Sequence, residues 1–102
     1  MELKESFGAT VRAIRLSKGL PQNAVGINQG YVSELESGLK APTLPKIDEI
    51  VMNLGIHPLT LLTTVYSAMG QEDANQLLAR VLAELEGLKH LSSSDVDVGK
   101  FR

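Results

Sequence analysis

Three observations predict an all-α fold: apolar residues recur at helical spacing along the chain, turn residues interrupt those stripes where helices start and stop, and no stretch alternates apolar and polar residues as a half-buried strand does. Together they predict a five-helix domain with an added amphipathic C-terminal helix. The 102 residues suit one domain. Their 43% hydrophobic content fills a small core, one that gains from oligomerisation.

The elements follow in order. Leu3, Phe7, Val11 and Ile14 share one helix face, and Lys18 and Gly19 suit that helix's end. Pro21 to Val25 holds little more than one turn before Gly26 interrupts it. Asn28 is a good N-cap for a helix that buries Val32 and Leu35 and stops before Gly38. After the loop "LKAPT", Thr43 caps a helix with Leu44, Ile47, Ile50, Val51 and Leu54 on one side and Gly55 at its close. Pro58 sits at the first position of the next helix, behind His57. Leu59, Leu62, Val65, Tyr66 and Met69 line that helix's predicted buried face, and Gly70 stops it. The sixth segment, "QEDANQLLARVLAELEGLKHL", has acidic residues at its start and Lys89 and His90 at its end, as the helix dipole favours. Leu77, Leu78, Val81, Leu82, Leu85 and Leu88 form its stripe, an expected dimerisation seam, the alternative being that the helix folds back on its own domain. "SSSDVDVGKFR" has no periodicity and is expected to be disordered. The predicted division is residues 1–69, then a helix over 70–91, then a tail over 92–102.

Charge and composition exclude several classes. The chain has no Cys, so disulfides and thiolate metal sites are absent, which suits a reducing cytosol. No apolar run approaches membrane-spanning length, and "MELKESFG" is not a signal peptide. No membrane partner is therefore expected. The net charge of −2 is uneven: residues 1–47 carry six Lys/Arg and four Asp/Glu, and residues 48–102 carry four and eight. Binding answers to local fields, so the acidic back half does not veto a nucleic-acid partner for the front. His57 and His90 lie at predicted helix ends and read as caps. No metal-ligand spacing, phosphate-cradling glycine loop or nucleophile motif is present. No enzyme activity and no cofactor are expected.

Helix, short helix, glycine-containing turn and helix within about 35 residues is the outline of a helix-turn-helix. Arg15, Gln22, "INQGYVSELESG" (27–38), Pro42 and "LPKIDEIVMNLGIHPLTLL" (44–62) give that outline a family pattern. The chain resembles the Cro/CI-type repressors, the XRE family, over roughly Phe7 to Leu62. Each residue alone is a weak match. The ordered set is specific, because Ser33, Leu35, Glu36 and Gly38 fall where the family pattern wants them.

The resemblance implies a lambda-repressor-like DNA-binding domain and a role for each matching residue. Gln29, Gly30 and Glu34 occupy positions that meet base edges in the major groove. Gln29 can bond to adenine, and Glu34 can accept from cytosine N4 although it also repels phosphate. Tyr31 could stack on the backbone or touch a base. Asn28, Ser33, Lys40 and Thr43 resemble phosphate contacts, as does Gln22 at the start of the short second helix. Arg15 and Glu36 are implied to form an ion pair bracing the first helix to the recognition helix. Plainer readings remain for most of these: a surface amide for Gln29, solvated charges for Glu34 and Lys40, a half-core ring for Tyr31, and a hydroxyl bonded to its own helix for Ser33.

The chain departs from the family between Gln22 and Glu36. The two are 14 residues apart, about one helical turn fewer than is usual. Pro21 replaces the usual Ser/Thr cap. This predicts a second helix of at most about five or six residues, with Val25 and Ile27 filling the gap. The implied function is a sequence-specific DNA-binding transcriptional regulator, a repressor and homodimer on double-stranded DNA with a near-palindromic operator, in the cytoplasm and on the nucleoid when bound. The alternative is an antitoxin or adaptor with a protein partner, which the missing turn, Glu34 and the acidic total favour. A weaker third reading, a regulator holding a small-molecule effector, has no marked pocket behind it.

Overall fold

The computed structural model describes residues 2–26 and 28–91. Ile27 and the 92–102 segment, read above as a gap-filler and a disordered tail, lie outside the described residues. Among the described residues the fold is all-helical: α1 (Leu3–Ser17), a 3-10 turn (Gln22–Ala24), α2 (Gln29–Glu36), α3 (Leu44–Leu54), α4 (Pro58–Gly70) and α5 (Ala74–Gly87). No single helix among them is long and apolar enough to cross a membrane.

Local chemistry sets most boundaries. The Asn28 side chain accepts from the Tyr31 N–H at 2.7 Å and starts α2. Thr43 Oγ1 accepts from the Lys46 N–H and starts α3. His57 Nδ1 accepts from the Leu59 N–H at 3.0 Å, with Pro58 at the first helical position of α4. Asp73 does the same for α5 through the Asn75 N–H. Each satisfies an N–H that has no partner within its helix. Gly38 and Gly55 take the left-handed conformation just past α2 and α3, as expected from their positions. One stop differs. Gly70 is the last residue of α4, and Gln71 takes the left-handed cap at φ 51°.

The second segment is short, within the limit the sequence predicted. It is a three-residue 3-10 turn, without a side-chain cap at Pro21. A tighter turn spans the distance when four residues of an α-helix are absent. Two tethers hold it. Val25 is completely buried, and its carbonyl accepts from Asn53 Nδ2 on α3 at 2.9 Å.

The core lies between α1, α2, α3 and α4, where Phe7, Val11, Val32, Leu35, Ile50 and Leu54 meet Leu61 and Val65 of α4. α1 packs along α4 and against α2. Gly8 permits the second contact, since a Cβ there would overlap the Leu35 carbonyl oxygen. Buried Ser6 is satisfied by donating to the Val65 carbonyl at 2.8 Å.

The predicted inner face of α4 needs correction. Leu61 and Val65 are its buried residues, and Leu59 and Tyr66 are exposed. The helix is apolar on most sides, so spacing alone could not choose its inner face; the position of α1 does. Leu44, read as part of the apolar side of α3, stands out at its start with 77% exposure. α5 packs on α4 yet buries none of its residues. Leu77 is half-buried, while Leu78, Val81, Leu82, Leu85 and Leu88 are exposed.

Candidate nucleic-acid interface

α2 has two different sides. Val32 and Leu35 anchor it in the core. Gln29, Gly30 and Ser33 face out and are exposed. Helical spacing places Gln29, Ser33 and Ser37 along one outward line, with Gly30 and Glu34 along the next.

The inward brace is an ion pair. Arg15 of α1 donates to both Glu36 carboxylate oxygens, from Nε at 2.7 Å and from Nη2 at 2.9 Å. Its Nη1 donates to the Leu20 carbonyl at 2.9 Å. The two side chains are only 9% and 4% exposed. The hydrogen bond to Glu36 raises the Arg15 pKa; burial opposes that, and the carboxylate's charge adds to it. Arg15 is therefore a permanent cation locked to Glu36. A two-pronged pair of this kind fixes orientation as well as distance.

Gln22 joins the same network. Its Nε2 donates to Glu36 Oε1 at 3.1 Å, so the residue implied to touch phosphate also ties the 3-10 turn to α2. Asn28 and Thr43 likewise have inward tasks, as the caps of α2 and α3. A capping oxygen that accepts a backbone N–H still leaves the Asn28 amide N–H groups free to donate.

The outer flank carries a second, looser cluster. Lys40 Nζ lies 3.2 Å from Glu34 Oε1, with both side chains about half exposed. Lys40 and Lys46 both stand over the Tyr31 ring, 5.8 and 5.6 Å from its centre. Burial raises the Tyr31 pKa, the Lys40 charge lowers it, and Glu49 raises it again. Tyr31 is thus a half-buried ring with two cations near it, held where α2 meets the loop to α3. Lys46 escaped the sequence reading because its approach to Tyr31 is tertiary and leaves no local pattern.

Gly30 differs from Gly8 and Gly38. Gly8 is required by close packing, and Gly38 by its positive φ. At Gly30 the nearest atom to an added Cβ is Asn28 Oδ1 at 3.4 Å, and φ is not positive. Neither packing nor conformation calls for glycine there.

The geometry therefore offers a short exposed helix, rigidly braced from behind, with cations on its outer flank. The family model for the helix-turn-helix matches residues 11–61, which run from the middle of α1 to the first turn of α4. The chain belongs to the XRE-type helix-turn-helix family. Among curated relatives, this helix-turn-helix protein is 33% identical over 67 residues to an uncharacterized HTH-type transcriptional regulator, y4dJ, of Sinorhizobium fredii; the match covers 62% of this chain and 87% of the relative. Among solved structures, it is similar to the clp gene regulator ClgR of Corynebacterium glutamicum, with a TM-score of 0.64 and 31% identity over 80% of this chain and 92% of that one. It is a DNA-binding helix-turn-helix transcriptional regulator. His57, read from the sequence as a cap, is engaged as the cap of α4.

Proposed function

We propose that this regulator is a repressor that binds a near-palindromic operator as a homodimer, with α2 of each protomer in the major groove. The observation that carries this reading is the outward line of α2. Gln29, Gly30 and Ser33 are exposed on a helix whose orientation is set by Arg15 and Glu36. Gln29 is the principal base reader, with adenine its natural partner, a contact worth about 1–3 kcal/mol of discrimination. Gly30 lets a base edge or sugar come close to the helix backbone. Glu34 reads beside it. Tyr31, Asn28, Ser33, Gln22, Lys40 and Thr43 hold the sugar–phosphate frame and set register.

Residues 1–69 serve as the DNA-binding unit, and 70–91 as the dimerisation element. The exposed Leu78, Val81, Leu82, Leu85 and Leu88 of α5 support that assignment, since a continuous apolar stripe left in water is unfavourable by roughly 25 cal/mol per Å². Two α2 helices would then meet successive major-groove faces about 34 Å apart. The regulator would work in the cytoplasm, on the nucleoid when bound.

Selection of bound duplexes from a random pool tests the central reading. A two-fold motif with half-sites one helical turn apart is expected; recovery of no enriched sequence overturns it. Light scattering tests the assembly, with a well-folded monomer at micromolar concentration removing the homodimer. The same α5 stripe also suits a protein partner of the adaptor or antitoxin kind. A stable one-to-one heteromer purified from the native host, with no DNA affinity, would favour that second reading.

A further inference from the structure

A polar cleft opens on the side of α2 opposite Lys40, lined by Arg12 of α1, Gln22, and Ser33, Glu36 and Ser37 of α2 and its C-cap. We infer that this cleft seats one backbone phosphodiester of the DNA, with Arg12 as its cationic anchor. The inference rests on the DNA-binding reading above and extends it to a residue outside the family pattern quoted for this chain.

Four features of the cleft suit a phosphate. Its one carboxylate, Glu36, is already neutralised: Arg15 donates to both of its oxygens and Gln22 to one. An approaching anion therefore meets no bare negative charge. Arg12 precedes Arg15 by three residues on α1, is exposed, and forms no ion pair among the described residues. A guanidinium offers planar, paired donors that match phosphate oxygens. Gln22 spends one N–H on Glu36, and its amide has a second to give. The exposed Ser33 hydroxyl has no hydrogen-bond partner among the described residues, while Ser37 Oγ is engaged with the Glu34 carbonyl at 3.0 Å.

Position makes the ligand a DNA phosphate. Ser33 and Ser37 continue the outward line that begins at Gln29. A duplex whose base edges reach Gln29 must carry its backbone past this line. Arg12 grips the backbone on this side of α2, and Lys40 with Lys46 stands on the other. The recognition helix is thereby bracketed by cations although the chain is net acidic.

The test uses the full chain and fluorescence anisotropy across a salt series, on the selected operator and on a random duplex. Arg12→Ala is expected to lower affinity for both duplexes by the same factor. It should also flatten the log affinity against log salt slope by about 0.9 for each bound protomer. Ser33→Ala is expected to weaken binding several-fold without changing the slope. Lys89→Ala removes the same charge from the end of α5 and should leave the slope unchanged. Melting curves confirm that the exposed substitution leaves folding intact. An Arg12→Ala slope equal to wild type overturns the phosphate seat while the DNA reading stands. Equal flattening by Lys89→Ala also overturns it, because net charge would then account for the effect. If the wild type binds neither duplex, the DNA reading fails and the seat fails with it.

Discussion

Glu34 and Glu36 lie two residues apart on the same short helix, and each is paired with a cation. The resemblance ends there. Glu36 meets Arg15 through two short hydrogen bonds in a site that water scarcely reaches, and Gln22 adds a third bond. Glu34 meets Lys40 through one 3.2 Å contact between half-exposed side chains. A charge in the first site cannot be left alone, because the interior offers nothing to replace its partner. A charge in the second can turn to water, or to a ligand, at little cost. One side of α2 is thus built to stay still and the other to exchange partners. A recognition helix needs both properties.

Glu36→Ala gives the largest break in this contrast. It strands Arg15 in a nearly closed site and is expected to cost about 3–5 kcal/mol, read from denaturant unfolding. Replacing both partners by leucine should recover much of that loss, because an apolar pair carries no desolvation penalty. If the double substitution is as unstable as the single one, the brace is more than a compensated charge.

Two glycines extend the comparison. Gly8 sits where α1 meets the buried side of α2, and Gly30 stands on its exposed side. Gly8→Ala places a methyl group against a backbone carbonyl that cannot step aside, so about 2–3 kcal/mol of stability should be lost. Gly30→Ala meets only Asn28 Oδ1, at a contact distance of 3.4 Å, and should raise stability by about 0.5–1 kcal/mol, since alanine has the better helix propensity. The same change should weaken operator binding in anisotropy titrations if DNA approaches the backbone there. A Gly30→Ala variant that is both more stable and fully active would remove Gly30 from the interface.

The two sides of α2 were unequally legible in the sequence. Caps and stops are local, so Asn28, Thr43, His57 and Gly55 could be placed from their neighbours alone. Arg15 and Glu36 were readable as partners only through the family resemblance, because no spacing rule joins residues that far apart. Leu61 was missed on α4, and Leu59 and Tyr66 were wrongly turned inward, because an apolar helix carries little directional signal. Gln22 shows a different limit. Its bond to Glu36 depends on where a shortened turn comes to rest, and that is set by the burial of Val25 and the pull of Asn53. Arg12 carries no local signal of a role, because the cleft beside it is formed by tertiary packing.

Lys40→Ala is the smallest expected change in stability and tests the exposed side directly. Its pair with Glu34 and its position over the Tyr31 ring are both solvent-facing, so their loss should total less than about 1 kcal/mol. Binding should respond differently. Losing a phosphate contact weakens every sequence by the same factor and flattens the salt slope by about 0.9 per protomer, leaving the selected motif unchanged. Glu34→Gln should do the reverse, changing the preferred base at one position of each half-site with little effect on the slope. In the double variant the stability effects should add to within about 0.5 kcal/mol, as they do for uncoupled sites. A coupling well above that would show that Lys40 and Glu34 form a fixed structural pair like Arg15 and Glu36. The exposed side of α2 would then have lost the freedom that separates it from the buried one.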